Sequence, residues 1–377
     1  MQKYEQKYDL TDFVPFRAVH VGEFLKEELK ARGMKKGELV ALTGIALPII
    51  DGIIKCERDI TEEQSMLIGK ALNIDTTFFY DMQKEYERNK VRITQRTAEQ
   101  TKTKEMWNII TQYVSISFFE SVKIVTREKE DIKENIKNIF TVFGVSTIDE
   151  FLQIQSEHVA SYYKKSEKLT TDEVELFSWT YYCKYVAKNI QLSADFDKAK
   201  IDDLCGELNN IFADNNNVIE NIKEVCANYG IKFFVVPKKG QMAVDGISFK
   251  DDDNPTIVLT LRRKNIDNFA FTFMHELGHV CLHINDKNKM FVNIEGVEDN
   301  TNTYEKDADN FAQEKLIPSE KWKQFKKETN KVLPYRIAPY VESFATTNKI
   351  NPTIVMGRYK YETQQFKIRS SFIQEIK

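Results

Sequence analysis

The chain is poor in the features that mark secreted, membrane-spanning and disulfide-rich proteins. It has five cysteines without a CxxC pair, and no apolar run approaches the roughly 18 residues that a membrane span needs. The opening MQKYEQKYDL is polar and of mixed charge, unlike a secretory signal. These absences argue against a disulfide framework, a cysteine-based zinc site and a membrane protein. They predict a cytoplasmic chain whose cysteines are small, buried and reduced.

A strong net charge is also missing. The sequence has 54 Lys and Arg against 57 Asp and Glu, a net charge of −3, with 42% hydrophobic residues. A chain of 377 residues with this composition is expected to be a soluble protein of two or three domains. Any contact with nucleic acid has to come from a local basic patch, because the whole chain exerts no such attraction.

Hydrophobic patterning divides the chain into three regions and a tail. Residues 18–88 carry five short amphipathic helical patterns, and residues 89–205 are charged and helical, as in a connector. Residues 206–360 mix helical patterns with three β-rich runs, GIKFFVVPKKG, AVDGISF and NPTIVLTL, and residues 361–377 form a C-terminal tail. The predicted fold is multidomain and mainly α, with a C-terminal α+β domain that contains a small sheet.

One helical segment, NIDNFAFTFMHELGHVCLHIN, holds three of the five histidines. Asp267 can cap this helix. His275 and His279 are four residues apart, so their rings lie one turn apart on one face and can bind the same metal. Glu276 is then placed to take a proton from a water at that metal, which is the HExxH arrangement of zinc hydrolases. The alternative is a pair of helix-surface histidines beside an unrelated glutamate.

A catalytic zinc normally takes three protein ligands and keeps one position open. His283 is excluded on a continuous helix, because it lies about 12 Å along the axis from His275. The next segment, TYEKDADNFAQEKLIPSE, offers Glu305 and Asp309 on one helix face. One of them can bind the metal while the other holds a ligand histidine by its second ring nitrogen. Spacing alone also allows an acidic, solvated helix start.

The segment FTFMHELGHVCLH, followed by EKDADNFAQEKLIP, resembles the paired motifs HELGHxxLH and ExEAxxFAxxLLMP of the ImmA/IrrE metallopeptidases. The resemblance covers roughly residues 215–360 and implies a zincin-like domain with a bound zinc. It implies Glu305 as the third ligand, Glu276 as the catalytic base and Asp309 at a polar position four residues after the ligand. It also implies a protein substrate, such as a repressor or an antitoxin. Departures are small, with Asp307 for a frequent Glu and LIP for LMP.

The N-terminal region resembles the HigA-type branch of the XRE helix-turn-helix regulators. HVGEFLKEELKARGMKKGELVALTGI is similar to the HPGEILKEEL opening of that family and to its first two helices. IIKCERDITEEQSMLIGKAL is similar to the passage INGxRxITxxxAxxLxxAL, and it contains a capping-box pattern at Thr61 and Gln64. The resemblance implies a DNA-binding or antitoxin module, through which the chain is also expected to form a homodimer.

The stretch GIALPIIDGIIKCERDIT departs from that family where the DNA-reading helix is expected. A family member has a sequence such as GVSRKTISEIINGKR, whereas residues 46–54 here contain no Lys, Arg, Ser, Thr, Asn or Gln. Ile50, Ile53 and Ile54 keep a buried spacing, so the helix is still expected, but it lacks side chains for base readout. DNA affinity would then depend on the surrounding residues. The candidate contacts to DNA or to a protein partner are Lys35, Lys36, Leu47, Ile49, Lys55 and Arg58.

Two functions follow from these patterns. The first is a zinc-dependent endopeptidase whose helix-turn-helix module locates its target. The second is a transcriptional regulator or antitoxin in which the zinc site is structural or sensing. Glu276 favours the first, because a structural site needs no general base. Tyr304, Tyr340 and Arg358 are candidates for stabilising the oxyanion of the reaction.

Overall fold

The computed structural model has sixteen α-helices and one four-stranded sheet in the part of the chain that it describes. This confirms the prediction of a mainly helical chain with a small sheet in its C-terminal part. The chain divides into two units, Met1–Met106 and Trp107–Lys377. Within the described part, no helix is long and apolar enough to cross a membrane. The structure describes residues 14–126, 131–163, 173–240, 242–250, 254–285, 290–294, 303–368, 371–372 and 374–377.

The first unit is built from five helices around an aliphatic core. Ile50 and Ile53 are fully buried in that core and Ile54 is nearly so, which confirms the spacing expected for this segment. Thr61 and Gln64 form the predicted capping box, because each side chain bonds the backbone of the other residue. The helices are α1 Val21–Ala31, α2 Lys36–Thr43, α3 Leu47–Ile54, α4 Glu62–Leu72 and α5 Phe78–Tyr113.

Two features of the first unit differ from expectation. The last helix, α5, runs through residue 88 without a break, because its sequence has neither Gly nor Pro to end it. Cys56 is exposed in the turn after α3, at a φ of 62°, whereas the other four cysteines are buried as expected. The three-region division of the chain otherwise stays a prediction.

The second unit begins with helices rich in aromatic side chains. Phe143 stands at the centre of one such group and contacts the rings of Phe119, Phe151 and Phe177. Trp179 donates a hydrogen bond from Nε1 to the carbonyl of Val236, which joins this helical part to the sheet region. The helices are α6 Ile116–Ser121, α7 Ile132–Phe143, α8 Ile148–Tyr163, α9 Glu173–Lys188, α10 Ile201–Asp214 and α11 Val218–Asn228.

The sheet has the strand order β1-β3-β2-β4, in which β1 pairs with β3 in parallel and β2 is antiparallel to both β3 and β4. Its first three strands lie in the three predicted β-rich runs. The edge strand β4 was not predicted, because MFVNI is short and stands alone between polar segments. The strands are β1 Lys232–Val235, β2 Val244–Phe249, β3 Thr256–Leu259 and β4 Met290–Ile294.

The central helix of the second unit is α12, which packs against β2, β3 and two later helices. The prediction that Asp267 caps it is wrong. The helix starts two residues earlier, at Ile266, because Asn265 has extended backbone and is the cap residue, so Asp267 falls in the first turn. The helices that complete the unit are α12 Ile266–Leu282, α13 Thr303–Leu316, α14 Ser319–Thr329, α15 Ala338–Asn348 and α16 Pro352–Thr363.

The segment predicted as a tail, residues 361–377, begins inside α16 and returns to the start of α12. The amide of Ile266 donates to the carbonyl of Gln374, at 3.0 Å. The amide of Val218 donates to the carbonyl of Lys377, at 2.8 Å. The last residues of the segment 361–377 are therefore hydrogen-bonded to the core helices of the second unit.

Candidate metal centre

The site forms where α12 and α13 approach each other closely. Gly278 on α12 faces Ala308 on α13, and a Cβ atom at Gly278 would lie 3.1 Å from the Ala308 Cα and 3.3 Å from its carbonyl oxygen. A larger side chain on either helix would hold them apart. This close approach brings Glu305, one turn before Ala308, toward the histidines of α12.

Three side chains predicted to bind a metal converge between these helices. His275, His279 and Glu305 each offer one atom, and these atoms lie within 4.8 Å of one another. The two Nε2 atoms are 3.1 Å apart, and the Glu305 carboxylate is 3.3 Å from His275 and 3.6 Å from His279. The imidazoles are almost fully buried and the carboxylate is half-buried. Such a set of donors could bind a metal ion.

Asp309 lies behind the first histidine. One of its carboxylate oxygens is 2.8 Å from Nδ1 of His275, on the side of the ring opposite to Glu305. A carboxylate can only accept a hydrogen bond there, so Nδ1 carries the proton and Nε2 keeps its lone pair for a metal. The structure thus puts Glu305 and Asp309 at different nitrogens of the same ring, an arrangement that their spacing in the sequence left open.

The electrostatics of the group favour a bound positive charge. Burial alone would lower the pKa of His275, but hydrogen bonds with Asp309 and Glu305 raise it to about 10. Burial would likewise raise the pKa of Glu305, but the two imidazoles hold that pKa well below its usual range. Both shifts mean that positive charge among these side chains is stabilised. A divalent cation fits the same environment.

Glu276 lies beside this group and is fully buried. Neither carboxylate oxygen makes a hydrogen bond of regular geometry within the described residues, although the Ser248 hydroxyl faces it closely enough to lower its pKa. Burial is the larger influence and raises the pKa of Glu276. Leaving a buried carboxylate so poorly paired costs stability, and buried groups with such shifted pKa values cluster at functional sites of proteins.

Residues 226–343 match the family model of the IrrE N-terminal-like domain, Peptidase_M78. The matched segment, here called the IrrE-like segment, contains the converging histidines, Glu276, Glu305 and Asp309. The match supports the resemblance to ImmA/IrrE metallopeptidases and suggests a metallopeptidase-type function for this segment. No curated protein and no solved structure matches the chain.

The IrrE-like segment also places two unforeseen side chains at the site. His283 follows the end of α12, and its Nδ1 atom is 2.9 Å from Nδ1 of His279. The Phe291 ring on β4 stacks on His279 with centroids 4.5 Å apart and planes at 12°. The four-residue spacing from His279 to His283 was a usable signal for the first contact. The contact between Phe291 and His279 could not be predicted, because it depends on the strand β4, which was itself not predicted.

The three oxyanion candidates lie in different surroundings. Arg358 donates to the carbonyls of Gln313 and Ile317 and lies over the Trp322 ring, so it ties α16 to the end of α13. Tyr340 is exposed on α15. Tyr304 is closest to the metal centre, since its ring meets that of His283 edge-on at 4.9 Å.

The predicted contact residues of the first unit surround α3. Asp51 forms ion pairs with both Lys36 and Lys55, the second at 2.6 Å. Leu47 is 50% exposed, whereas Ile49 is partly buried against the edge of the core. Two of the four basic candidates therefore share one carboxylate on the helix itself, which offsets part of their charge. The other two, Lys35 and Arg58, are exposed.

Proposed function

We propose that the chain is a zinc-dependent endopeptidase. Two imidazoles and one carboxylate, with a fourth position left for water, form a donor set used by catalytic zinc in proteins. His275, His279 and Glu305 provide that set. The observation that carries the proposal is Glu276, a buried carboxylate next to the ligands that makes no regular hydrogen bond with any residue the structure describes. A zinc site with only a structural role needs no such group.

In this mechanism each side chain has a separate task. When bound, zinc acts as a Lewis acid toward a carbonyl oxygen and lowers the pKa of water. Asp309 accepts a hydrogen bond from Nδ1 of His275 and so fixes the direction of its Nε2 lone pair. Glu276 takes a proton from the water that attacks the peptide carbon and passes it to the departing amine nitrogen. Its raised pKa suits this task, because the carboxyl group must hold the proton between the two steps.

The proposed substrate is a regulatory protein, such as a repressor or an antitoxin, and the first unit is proposed to recruit it. This part of the proposal is supported by the resemblance of both motifs to ImmA/IrrE and HigA-type sequences. Gly44, with a φ of 72°, ends α2 and leads into α3 as in a helix-turn-helix. The exposed Leu47 and the pairing of Lys36 with Asp51 favour contact with protein over base readout.

The test compares the full chain with Glu276→Gln and Glu305→Ala. Each purified protein is loaded with zinc and added to a lysate of the source organism, and new protein N-termini are mapped by mass spectrometry. We expect new termini only with the unchanged chain. Glu276→Gln should keep its zinc, measured by atomic emission, while Glu305→Ala should lose it. The same termini at the same rate with Glu276→Gln would refute the mechanism.

A second candidate function is a DNA-binding regulator or antitoxin in which the zinc site is structural or sensing. The turn at Gly44 between α2 and α3 is the observation that favours it. A mobility shift on the chain's own promoter at two salt concentrations separates the two functions. Tight binding that weakens steeply with salt would support the regulator. Absence of a shift at low salt would leave the first unit as a protein-docking module.

A further inference from the structure

We propose that His283 is a positioning residue that orients His279 through a hydrogen bond between their Nδ1 atoms. The inference rests on the metal site of the proposed function. The helix rise between His275 and His283 excludes His283 as a ligand of the same metal. In the folded chain His283 contacts His279, so it can orient this ligand without binding the metal itself.

The contact between the two rings is short and buried. The Nδ1 atoms of His279 and His283 are 2.9 Å apart, and the residues are 1% and 4% exposed. The backbone keeps them together, because the amide of His283 donates to the carbonyl of His279, at 3.0 Å. His283 stands at the C-cap of α12, where its ring can turn back onto the last helical turn.

The positions of the protons follow from the chemistry of imidazole. Only one of two facing nitrogens can donate, so the other must be an acceptor. Nε2 of His279 faces Glu305 and His275, and it must be unprotonated to bind a metal. The proton of His279 is then on Nδ1, which donates a hydrogen bond to Nδ1 of His283. His283 therefore carries its own proton on Nε2.

The surroundings of His283 agree with that tautomer. Its Nε2 atom has no hydrogen-bond partner within the described residues, and the Asp307 carboxylate, 3.9 Å away, is the charged group that it faces. The rings are confined as well. Phe291 stacks on His279, and Tyr304 meets His283 edge-on.

The two ligand histidines are thus oriented by different acceptors. His275 donates from Nδ1 to the carboxylate of Asp309, whereas His279 donates to a neutral imidazole. A neutral acceptor fixes the ring without adding another negative charge to a group that already holds Glu305 and Glu276. Loss of such an outer partner typically lowers metal affinity about 10- to 100-fold.

The test measures the zinc dissociation constant of the full chain by competition with a chromophoric chelator. His283→Asn puts a carbonyl oxygen near the position of Nδ1, while the longer His283→Gln puts it near the position of Nε2. We expect His283→Asn to stay within about threefold of the unchanged chain, and His283→Gln to lose about 10- to 100-fold. Leu282→Ala is the control, because Leu282 is the exposed neighbour of His283 on α12 and should not alter zinc affinity.

Equal zinc affinity of the two His283 variants would overturn the inference, since they differ mainly in where the acceptor lies. A second measurement needs no variant. With only five histidines in the chain, long-range nitrogen-proton NMR of the zinc-loaded protein can identify each tautomer. We expect His283 protonated on Nε2, and a proton on its Nδ1 would refute the inference. Failure of the unchanged chain to bind zinc would instead refute the proposed function itself.

Discussion

Gly246 on β2 leaves the space in which the Glu276 carboxylate lies. A Cβ atom at this position would be 2.9 Å from Oε1 of Glu276 and 2.8 Å from Cδ2 of Leu259. Ordinary contacts of a Cβ atom begin at 3.4 Å, so Gly246→Ala must displace the carboxylate oxygen by about 0.5 Å, from 2.9 to 3.4 Å. Because Glu276 is fully buried, it cannot make this adjustment by turning into solvent.

The expected effects are separate losses of activity and stability. Misplacing a catalytic group by about 1 Å costs roughly 100-fold in rate, so half that displacement should lower kcat by about tenfold. Overpacking the interior should reduce the free energy of unfolding by about 1–3 kcal/mol. Zinc affinity should stay the same, since none of the three nearest contacts of the added Cβ atom involves a proposed metal ligand.

The assay is kcat on a peptide that spans the mapped cleavage site, together with thermal unfolding and zinc content. Gly206→Ala is the matched control, because Gly206 lies exposed on α10 and an added Cβ would meet no atom within 4 Å beyond its chain neighbours and the backbone of its own helix. That control should keep full activity and gain up to about 1 kcal/mol of stability. A Gly246→Ala variant with unchanged kcat and unchanged unfolding would refute the assigned role and position of Glu276.

Three further predictions concern other parts of the chain. Asp309→Ala should weaken zinc binding about 10- to 100-fold in a chelator competition, because His275 loses its Nδ1 acceptor. Burial, aided by Lys184, lowers the pKa of His158 from 6.5 to about 4, so between these pH values the unfolded chain binds a proton that the folded chain does not. Stability should fall by on the order of 3 kcal/mol as pH drops through this window, and denaturant unfolding of His158→Phe should lack that part of the loss. Asp51→Asn should strengthen non-specific DNA binding and steepen its salt dependence by up to about two units in a filter-binding titration, because it releases two lysines.

Each of these three predictions has an outcome that would contradict it. Zinc affinity that is unchanged in Asp309→Ala would show that the Asp309 contact does not orient the ligand. An equal pH dependence of stability in His158→Phe and the unchanged chain would place the titration elsewhere. An Asp51→Asn variant that gains no DNA affinity would favour a protein partner for α3.

The histidine pair of the site was predictable because it depends on helix periodicity alone. His275 and His279 are one turn apart on any α-helix, so their convergence needs no knowledge of the fold. The choice between Glu305 and Asp309 was not available from their spacing, because both lie on one face of α13 and only the docking of that helix separates them. The ImmA/IrrE resemblance favoured Glu305, and the structure places it at the two Nε2 atoms.

Local sequence patterns predicted some helix and strand boundaries correctly and others wrongly. The capping box at Thr61 was correct because it involves only neighbouring residues. Asp267 failed as a cap because the bridge between Asn265 and Glu375, far apart in the sequence, sets where α12 starts. The end of α5 and the strand β4 were missed for similar reasons, since a polar helix without Gly or Pro and a five-residue strand carry weak local signals.

The metal centre draws its ligands from two helices that are separated in the sequence by β4. An ion held by His279 and Glu305 would act as a cross-link that closes a loop of about 25 residues. Closing a loop of that length removes conformational freedom from the unfolded chain worth on the order of 3 kcal/mol in the polymer model of cross-links. Zinc would then hold α12, the edge strand and α13 together as one cooperative element. Removal of zinc would then lower the unfolding temperature of Trp107–Lys377, a change that can be measured without a substrate.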